Sequence, residues 1–241
     1  MKIVLVGYGK MGKEIEKILV SRGHEVIGKA TKDNPLSSEM VKNVDAAIDF
    51  STPDSVLDNI NFLITHKIPS IIGTTGWNES YDEVKHRIDT EDGAMVHASN
   101  FSVGVNLFFK LNEQLAKLME PYKEYTPEMT EIHHTEKLDA PSGTAISLAT
   151  DLLQNHTQFN DWYCPQNDKK SKSGNKLKIE AVREHDVKGT HTISYQSKID
   201  TISITHEAHN REGFALGAVI SAEWIQNKKG IFTMKDVLAL S

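Results

Sequence analysis

The sequence predicts an α/β protein: a doubly wound parallel sheet followed by a second, α+β domain built on a mixed sheet. Three observations carry this. Short apolar runs alternate with amphipathic helical stretches through the first part of the chain, the βαβ rhythm of a sheet covered on both faces. A glycine-rich turn, Gly7-Tyr8-Gly9-Lys10-Met11-Gly12, joins the first run to the first helical stretch. Beyond residue 105 the pattern shifts to one long helix and then to strand-like alternation rich in β-branched residues.

Taken in order, Ile3 to Val6 is a short buried strand. Met11, Ile15, Ile18 and Leu19 then share a helical face that ends at Arg22-Gly23. Glu25-Val26-Ile27 is a second strand and Ala46 to Phe50 a third. Ser51-Thr52-Pro53 is a helix-start signal. Ser70-Ile71-Ile72 and Met95-Val96 give two more strands, with helices between. Val105 to Met119 reads as a helix whose apolar stripe is Leu107, Phe108, Leu111, Leu115 and Leu118. Met129 to Ile132 is a strand, and His133 to Pro141 a loop at its end. Ser142 caps a helix with Ala145, Leu148, Ala149 and Leu152 on its apolar face. Gln154 to Asn175 is polar, carries Lys169-Lys170-Ser171-Lys172-Ser173-Gly174, and reads as a mobile loop. Leu177, Ile179 and Ala181 alternate with charges, and Thr192 to Tyr195 and Thr201 to Thr205 are strands. Phe214 to Gln226 is an amphipathic helix expected to return to the first domain. The expected domains are 1–104, completed by 214–241, and 105–213.

The bulk numbers narrow the function classes. The chain has 241 residues, 39% hydrophobic and 25% charged, an ordinary globular balance with room for two modest cores. A net charge of −6 argues against nucleic-acid binding through bulk charge. A single cysteine, Cys164, leaves no internal disulfide and fits a reducing compartment. No apolar stretch approaches the ~18 residues of a membrane span, and the N-terminal run is too short for a signal peptide. The expectation is a cytoplasmic protein.

Two segments carry chemistry. In the glycine turn, Gly7 permits a tight bend, Gly9 lets backbone approach a pyrophosphate, and Gly12 lets helix and strand pack closely. The helix N-terminus offers free N–H groups and partial positive charge to phosphates. This reads as a dinucleotide site; a glycine turn without a ligand is the alternative. After the second strand, Asp33 can take ribose hydroxyls, and Lys29 or Lys32 a 2′-phosphate, so NADH and NADPH both stay open. The second segment is Glu131-Ile132-His133-His134-Thr135-Glu136-Lys137-Leu138-Asp139-Ala140-Pro141-Ser142-Gly143-Thr144-Ala145. Histidine can donate a proton near neutral pH, Lys137 adds a charge, and the N–H groups of Gly143 and Thr144 with the Thr144 hydroxyl can cradle a carboxylate. Glu131, His133 and His134 are also metal-ligand types. Adjacent histidines on a strand point to opposite faces, however, so no metal is expected. Histidines in purely structural roles are the remaining alternative.

The second segment resembles the signature of the 4-hydroxy-tetrahydrodipicolinate reductase (dihydrodipicolinate reductase) family, with every fixed position of Glu-x-His-His-x-x-Lys-x-Asp-Ala-Pro-Ser-Gly-Thr-Ala present. Asp49-Phe50-Ser51, Gly73-Thr74-Thr75-Gly76, Asn100 to Asn106 and Gly189-Thr190-His191-Thr192 are similar to family segments in the same order. The resemblance implies a Rossmann-like domain plus a mixed-sheet domain whose sheet face builds a homotetramer. It implies NADH- or NADPH-dependent reduction of a small cyclic dicarboxylate in lysine and diaminopimelate biosynthesis. His133 is implied as the acid and Lys137 as its charged partner, with His134, Ser142, Gly143 and Thr144 contacting substrate carboxylates. Gly7, Lys10, Met11 and Gly12 are implied at the cofactor phosphates, beside Gly9 and the ribose candidates Lys32 and Asp33 read above. Phe50, Gly73, Thr75, Ala98, Asn100 and Phe101 would lie toward the nicotinamide, and Arg211 close to the cofactor or hinge. The chain departs from the family at Thr31, where an acid is frequent, and at Arg183-Glu184-His185, where Arg-x-Gly is frequent. Its 153–177 loop is short. A different nicotinamide oxidoreductase, or a dinucleotide-sensing module, would explain the glycine turn but not the run from Lys137 to Thr144.

Overall fold

In the computed structural model, residues 1–167, 174–210 and 212–240 are described. The apolar run after Met1 forms β1 (Lys2–Val6) and divides its side chains between two faces. Ile3 and Leu5 pack with Ile15 and Leu19 of α1 (Lys10–Ser21), while Val4 and Val6 pack with Ala30, Val41 and Leu63 on the other side. A strand covered on both faces has no solvent side, which is why the run shows no polar alternation. Next come β2 (Glu25–Ala30), β3 (Ala46–Asp49) and α2 (Pro53–Thr65), which opens on proline as its sequence signals. Then follow β4 (Ser70–Ile72), α3 (Tyr81–Thr90) and β5 (Ala94–His97).

Helix α4 (Val103–Met119) leads to β6 (Thr126–His133), α5 (Gly143–Asn155), β7 (Asp161–Tyr163), β8 (Lys176–Arg183), β9 (Thr190–Gln196) and β10 (Thr201–Glu207). The chain closes with α6 (Glu212–Trp224), β11 (Gly230–Phe232) and α7 (Met234–Val237). Residues 1–106 and 211–241 form one compact unit, and 107–210 another.

The first unit is a six-stranded sheet in the order β11-β5-β4-β3-β1-β2, with every pairing parallel. Its two faces are covered by helices, the arrangement of a Rossmann-like doubly wound fold. The chain leaves β1 for β2 on one side and returns to β3 on the other. The topological switch point therefore lies at the carboxyl ends of β1 and β3, where open α/β sheets bind ligands.

The second unit is a mixed sheet, β10-β9-β6-β8-β7. Strands β6, β8 and β7 run parallel, and β9 is antiparallel to both β6 and β10. Its inner face, including Met129, Leu177, Ile179, Ile193 and Tyr195, packs with Ala145, Leu148, Ala149 and Leu152 of α5 and with Phe108, Ala116 and Met119 of α4. Each fully buried leucine there contributes about 1.5–3 kcal/mol. The opposite face carries hydroxyl pairs between β9 and β10, Thr192 with Thr205 at 3.0 Å and Ser194 with Ser203 at 2.9 Å.

Three expectations are corrected. The α4 stripe is only partly the buried face: Phe108 is buried and Leu115 packs on the core, but Leu107, Leu111 and Leu118 are 44%, 58% and 67% exposed. Within the second unit the buried positions are Phe108, Asn112, Ala116 and Met119, one residue round the helix. That face was hidden in the sequence by its asparagine. The Asn112 amide donates to the Leu148 carbonyl at 2.9 Å, so a polar residue is satisfied inside the core. The 154–175 stretch is not all loop, because it holds the end of α5 and strand β7, which pairs parallel to β8; Lys169, Lys170 and Lys172 fall outside the described residues. Finally, His133 is the last residue of β6 rather than the first of a loop.

Candidate functional site

At the switch point the chain is held very tightly. Gly7 follows β1 with φ +84°, and a Cβ there would lie 2.3 Å from the Phe50 carbonyl oxygen. A Cβ at Gly12 would lie 2.4 Å from the Gly7 carbonyl oxygen. These two glycines let β1, the start of α1 and the segment after β3 meet. Gly9 is the N-cap of α1, and a Cβ there would meet nothing within 4 Å. The first N–H groups of the helix have no partner within it, which is what a diphosphate needs. Lys10 is exposed beside it, and Met11 packs on the core.

Gly7, Phe50, Gly73 and Ala98 each follow the carboxyl end of one of four neighbouring strands. The Phe50 ring stacks over Gly73 and lies 5.8 Å from the Phe101 ring in a tilted pair. Asn100 accepts from the Ser102 N–H at 2.9 Å, and its carbonyl accepts from Asn106 at 3.0 Å, fixing the turn that holds Phe101. Thr75 is exposed, whereas its neighbour Thr74 turns inward. The Thr74 hydroxyl donates to the buried Asp49 carboxylate at 2.6 Å, which also accepts from Ser51 and Asn59. This network fixes the segments carrying Phe50 and Gly73. The sequence contained it as Asp49-Phe50-Ser51 without disclosing the partners.

Of the ribose candidates, Lys29 is already engaged. Its Nζ lies 2.7 Å from Glu16 and 4.1 Å from the Tyr8 ring centroid, and Tyr8 itself donates to Glu16. Hydrogen bonding to Lys29 holds the Glu16 carboxyl below its usual range. Lys32 and Asp33 are exposed. Arg211 lies outside the described residues.

In the second unit the signature segment closes around Glu131, whose side chain is wholly buried. Both of its oxygens accept from the Ser142 N–H, at 3.1 and 3.0 Å, and Arg183 donates to Oε1 at 3.2 Å. Oε2 lies 3.4 Å from Nδ1 of His133 and 3.7 Å from Nε2 of His191. The two imidazoles meet edge to face with centroids 5.1 Å apart. Register produces this cluster: Glu131 pairs with His191 across β6 and β9, and His133 with Arg183 across β6 and β8.

Burial pushes the His133 imidazole below its ordinary value. Glu131 pulls the other way, while Lys137 and Arg183 add to the depression. His191 is pushed down to about 4, first by burial and then by the neighbouring His133. Beside His133 Nε2 runs Gly189, with φ +149°, and a Cβ there would come within 3.1 Å of that nitrogen.

Lys137 sits in the loop after β6 with its Nζ 2.8 Å from both oxygens of Asp139. Arg183 ties that loop to β8 by donating to the Lys137 and Asp139 carbonyls at 3.3 and 2.7 Å. His134 begins the loop, half-buried. Ser142 is the N-cap of α5 as its sequence signals. Its hydroxyl accepts from the Ala145 N–H at 3.2 Å and lies 3.1 Å from His191 Nε2, so it is occupied inside the unit. Gly143 and Thr144 present the leading N–H groups of the helix. His133, Lys137 and the α5 N-terminus thus belong to one neighbourhood of the second unit. Arg183 and His191, to which the sequence reading gave no role, belong to it too. A signal for His191 was present in Gly189-Thr190-His191-Thr192, but its strand pairing was not.

One ligand atom each from Glu131, His133 and His191 lies within 4.8 Å of the others. This trio differs from the Glu131, His133 and His134 set because the chain leaves the strand after His133. The Arg183 guanidinium on the same carboxylate opposes a metal cation there.

Family models described as dihydrodipicolinate reductase, N-terminus, and dihydrodipicolinate reductase, C-terminus, match residues 1–101 and 104–238. The chain is 45% identical over 239 residues to a 4-hydroxy-tetrahydrodipicolinate reductase of Christiangramia forsetii, covering 99% of this chain and 98% of that one. Among solved structures, a dipicolinate-bound dihydrodipicolinate reductase from Paenisporosarcina sp. TG-14 aligns with TM-score 0.77 at 21% identity, over 97% of both chains. An amine dehydrogenase from Mycobacterium smegmatis aligns with TM-score 0.60 at 8% identity, over 97% of this chain and 95% of that one. The last two likenesses speak to fold.

Proposed function

Since this chain belongs to the dihydrodipicolinate reductase family, as a nicotinamide-dinucleotide-dependent reductase of 4-hydroxy-tetrahydrodipicolinate in lysine and diaminopimelate biosynthesis, we propose how its residues carry out that reaction. The observation that carries the assignment of roles is the buried Glu131, His133 and His191 cluster set beside Lys137 and the α5 N-terminus.

The first unit holds the cofactor. The N-terminus of α1, with Gly7, Gly9, Lys10, Met11 and Gly12, binds the diphosphate through backbone N–H groups and the helix dipole. Lys32 and Asp33 read the adenosine ribose, Lys32 suited to a 2′-phosphate and Asp33 to the free hydroxyls, so the cofactor is NADH or NADPH. Phe50, Gly73, Thr75, Ala98, Asn100 and Phe101 lie toward the nicotinamide. When bound, the reduced nicotinamide supplies a hydride to the substrate ring.

The second unit holds the dicarboxylate. Gly143 and Thr144 donate N–H groups to one carboxylate, with Ser142 setting the helix start, and His134 donates to a carboxylate as well. Lys137 exchanges Asp139 for the substrate, neutralising charge and withdrawing electron density as the ring is reduced. His133 passes its proton from Nε2 to the ring nitrogen, which becomes basic on reduction. The hydroxyl-rich outer face of the second sheet supports a homotetramer as the assembly, and the biosynthetic role supports the cytoplasm as its place.

The test couples a dihydrodipicolinate synthase to this protein and follows loss of the reduced-nicotinamide absorbance, with NADH and NADPH in turn. His133→Gln should lower kcat by about 100-fold or more while leaving cofactor Kd unchanged. Unchanged turnover would remove His133 from the donor role.

A further inference from the structure

We propose that Glu131 is the positioning residue for His133: its Oε2 faces Nδ1 of the imidazole, fixes the ring so that Nε2 is the nitrogen presented toward Gly189, and stabilises the protonated ring before it gives up its proton. The proposal rests on the reading of His133 as proton donor.

Geometry supports it from three directions. Glu131 is wholly buried, and its donors are one backbone N–H shared by both oxygens and Arg183 on Oε1 alone. Oε2 is thereby left facing two imidazoles, at 3.4 Å from His133 and 3.7 Å from His191. His133 Nδ1 is buried with no hydrogen-bond partner among the described residues, so the Glu131 carboxylate at ion-pair distance is what favours a proton there. On the far side of the ring Nε2 lies beside Gly189, where a Cβ would crowd it at 3.1 Å, so the glycine keeps that nitrogen clear of a side chain. A ring held at Nδ1 by a carboxylate and open at Nε2 has one nitrogen anchored and one available, the arrangement in which a carboxylate orients an acid–base histidine.

Every charged neighbour of His133 bears on the outcome. Glu131 on β6 and Asp139 on the loop favour the imidazolium. Lys137 on the same loop and Arg183 on β8 oppose it. His191 on β9 and Cys164 after β7 are further titratable groups around Glu131. Glu131 is the one of these that lies on the strand of His133 and is sealed from solvent, so its attraction is the least screened. No proton is transferred to Glu131 in the cycle. The proton leaves His133 Nε2 for the substrate nitrogen, and the ring is recharged from solvent.

The experiment is a pH titration of ring nitrogens in 15N-histidine-labelled protein, with His133 assigned by His133→Gln. Wild type is compared with Glu131→Gln and Arg183→Met. Glu131→Gln keeps an oxygen for the Ser142 N–H but removes the charge, and it should lower the His133 midpoint by about one unit or more. It should also move the alkaline fall of kcat to lower pH by the same amount. Arg183→Met removes the competing cation from the same carboxylate and should shift the midpoint upward. Should Glu131→Gln not fold, Glu131→Asp, which keeps the charge but draws it back from Nδ1, should lower the His133 midpoint by a smaller amount and carries the test. Arg183→Met also acts through its own charge on the ring, so the decision lies with Glu131: an unchanged His133 midpoint in Glu131→Gln and Glu131→Asp overturns the proposal. If His133 is not the donor, the NMR shifts persist while His133→Gln turns over normally, which separates the two failures.

Discussion

Ser142→Ala separates two roles that one motif serine can have. If its hydroxyl contacts the substrate carboxylate, its removal weakens substrate binding and leaves the fold alone. The structure places that hydroxyl inward, 3.2 Å from the Ala145 N–H and 3.1 Å from His191 Nε2. Losing the cap costs about 1 kcal/mol. Leaving the buried His191 nitrogen without its partner adds about 1–3 kcal/mol. The expected loss is therefore about 2–4 kcal/mol of stability, with the Glu131 contact kept, because Ser142 makes it through its backbone N–H. Urea unfolding at pH 7 reads the loss, and hydrogen exchange at Ala145 localises it to the first turn of α5. Substrate KM should change by less than about threefold, worth roughly 0.7 kcal/mol. A stability change under about 0.5 kcal/mol together with a tenfold rise in KM would refute this reasoning and return Ser142 to direct substrate contact.

Two further outcomes are expected. Gly12→Ala puts a Cβ 2.4 Å from the Gly7 carbonyl oxygen, so the start of α1 must move away from the turn. NADH and NADPH Kd, measured by calorimetry, should weaken by at least about tenfold, or 1.4 kcal/mol; equal affinity would count against α1 as the phosphate site. His191 is held down to about 4 from an ordinary 6.5. The unfolded chain therefore takes up a proton below pH 6.5 that the folded protein refuses until about pH 4. Its contribution is full above pH 6.5 and falls as acid is added across that window, by about 3 kcal/mol in all. Urea midpoints between pH 7 and 4.5 should drop in wild type and drop less in His191→Gln; parallel curves would exclude His191 as a source of the acid sensitivity.

Much of the fold was legible because it is local. The apolar runs at Ile3 to Val6, Ala46 to Ile48 and Ser70 to Ile72 are strands because a sheet buried on both faces leaves no polar side. Gly7 and Gly12 marked the switch point because backbone there comes within van der Waals distance of backbone, which other residues do not permit. The segment from Glu131 to Ala145 disclosed the chemistry because proton donor, cation and helix start are consecutive in the chain. The α4 face was misread because hydrophobicity ranks Leu111 above Asn112, whereas burial depends on whether a polar group finds a partner, and Asn112 finds the Leu148 carbonyl.

What the sequence by itself determined was the order of the main elements, without β7, β11 and α7, together with the glycine turn and the residues of the signature. Only the tertiary structure decided which of them touch. Arg183 and His191 reach Glu131 through the register of strands far apart in the chain, Ser142 turns its hydroxyl inward, and Lys29 is claimed by Glu16 and Tyr8 before any ligand arrives. Periodicity and motif are properties of neighbours along the chain. The register that sets a buried carboxylate against a particular imidazole is fixed by non-local pairing, in which a slip of one residue would turn every side chain to the other face of the sheet.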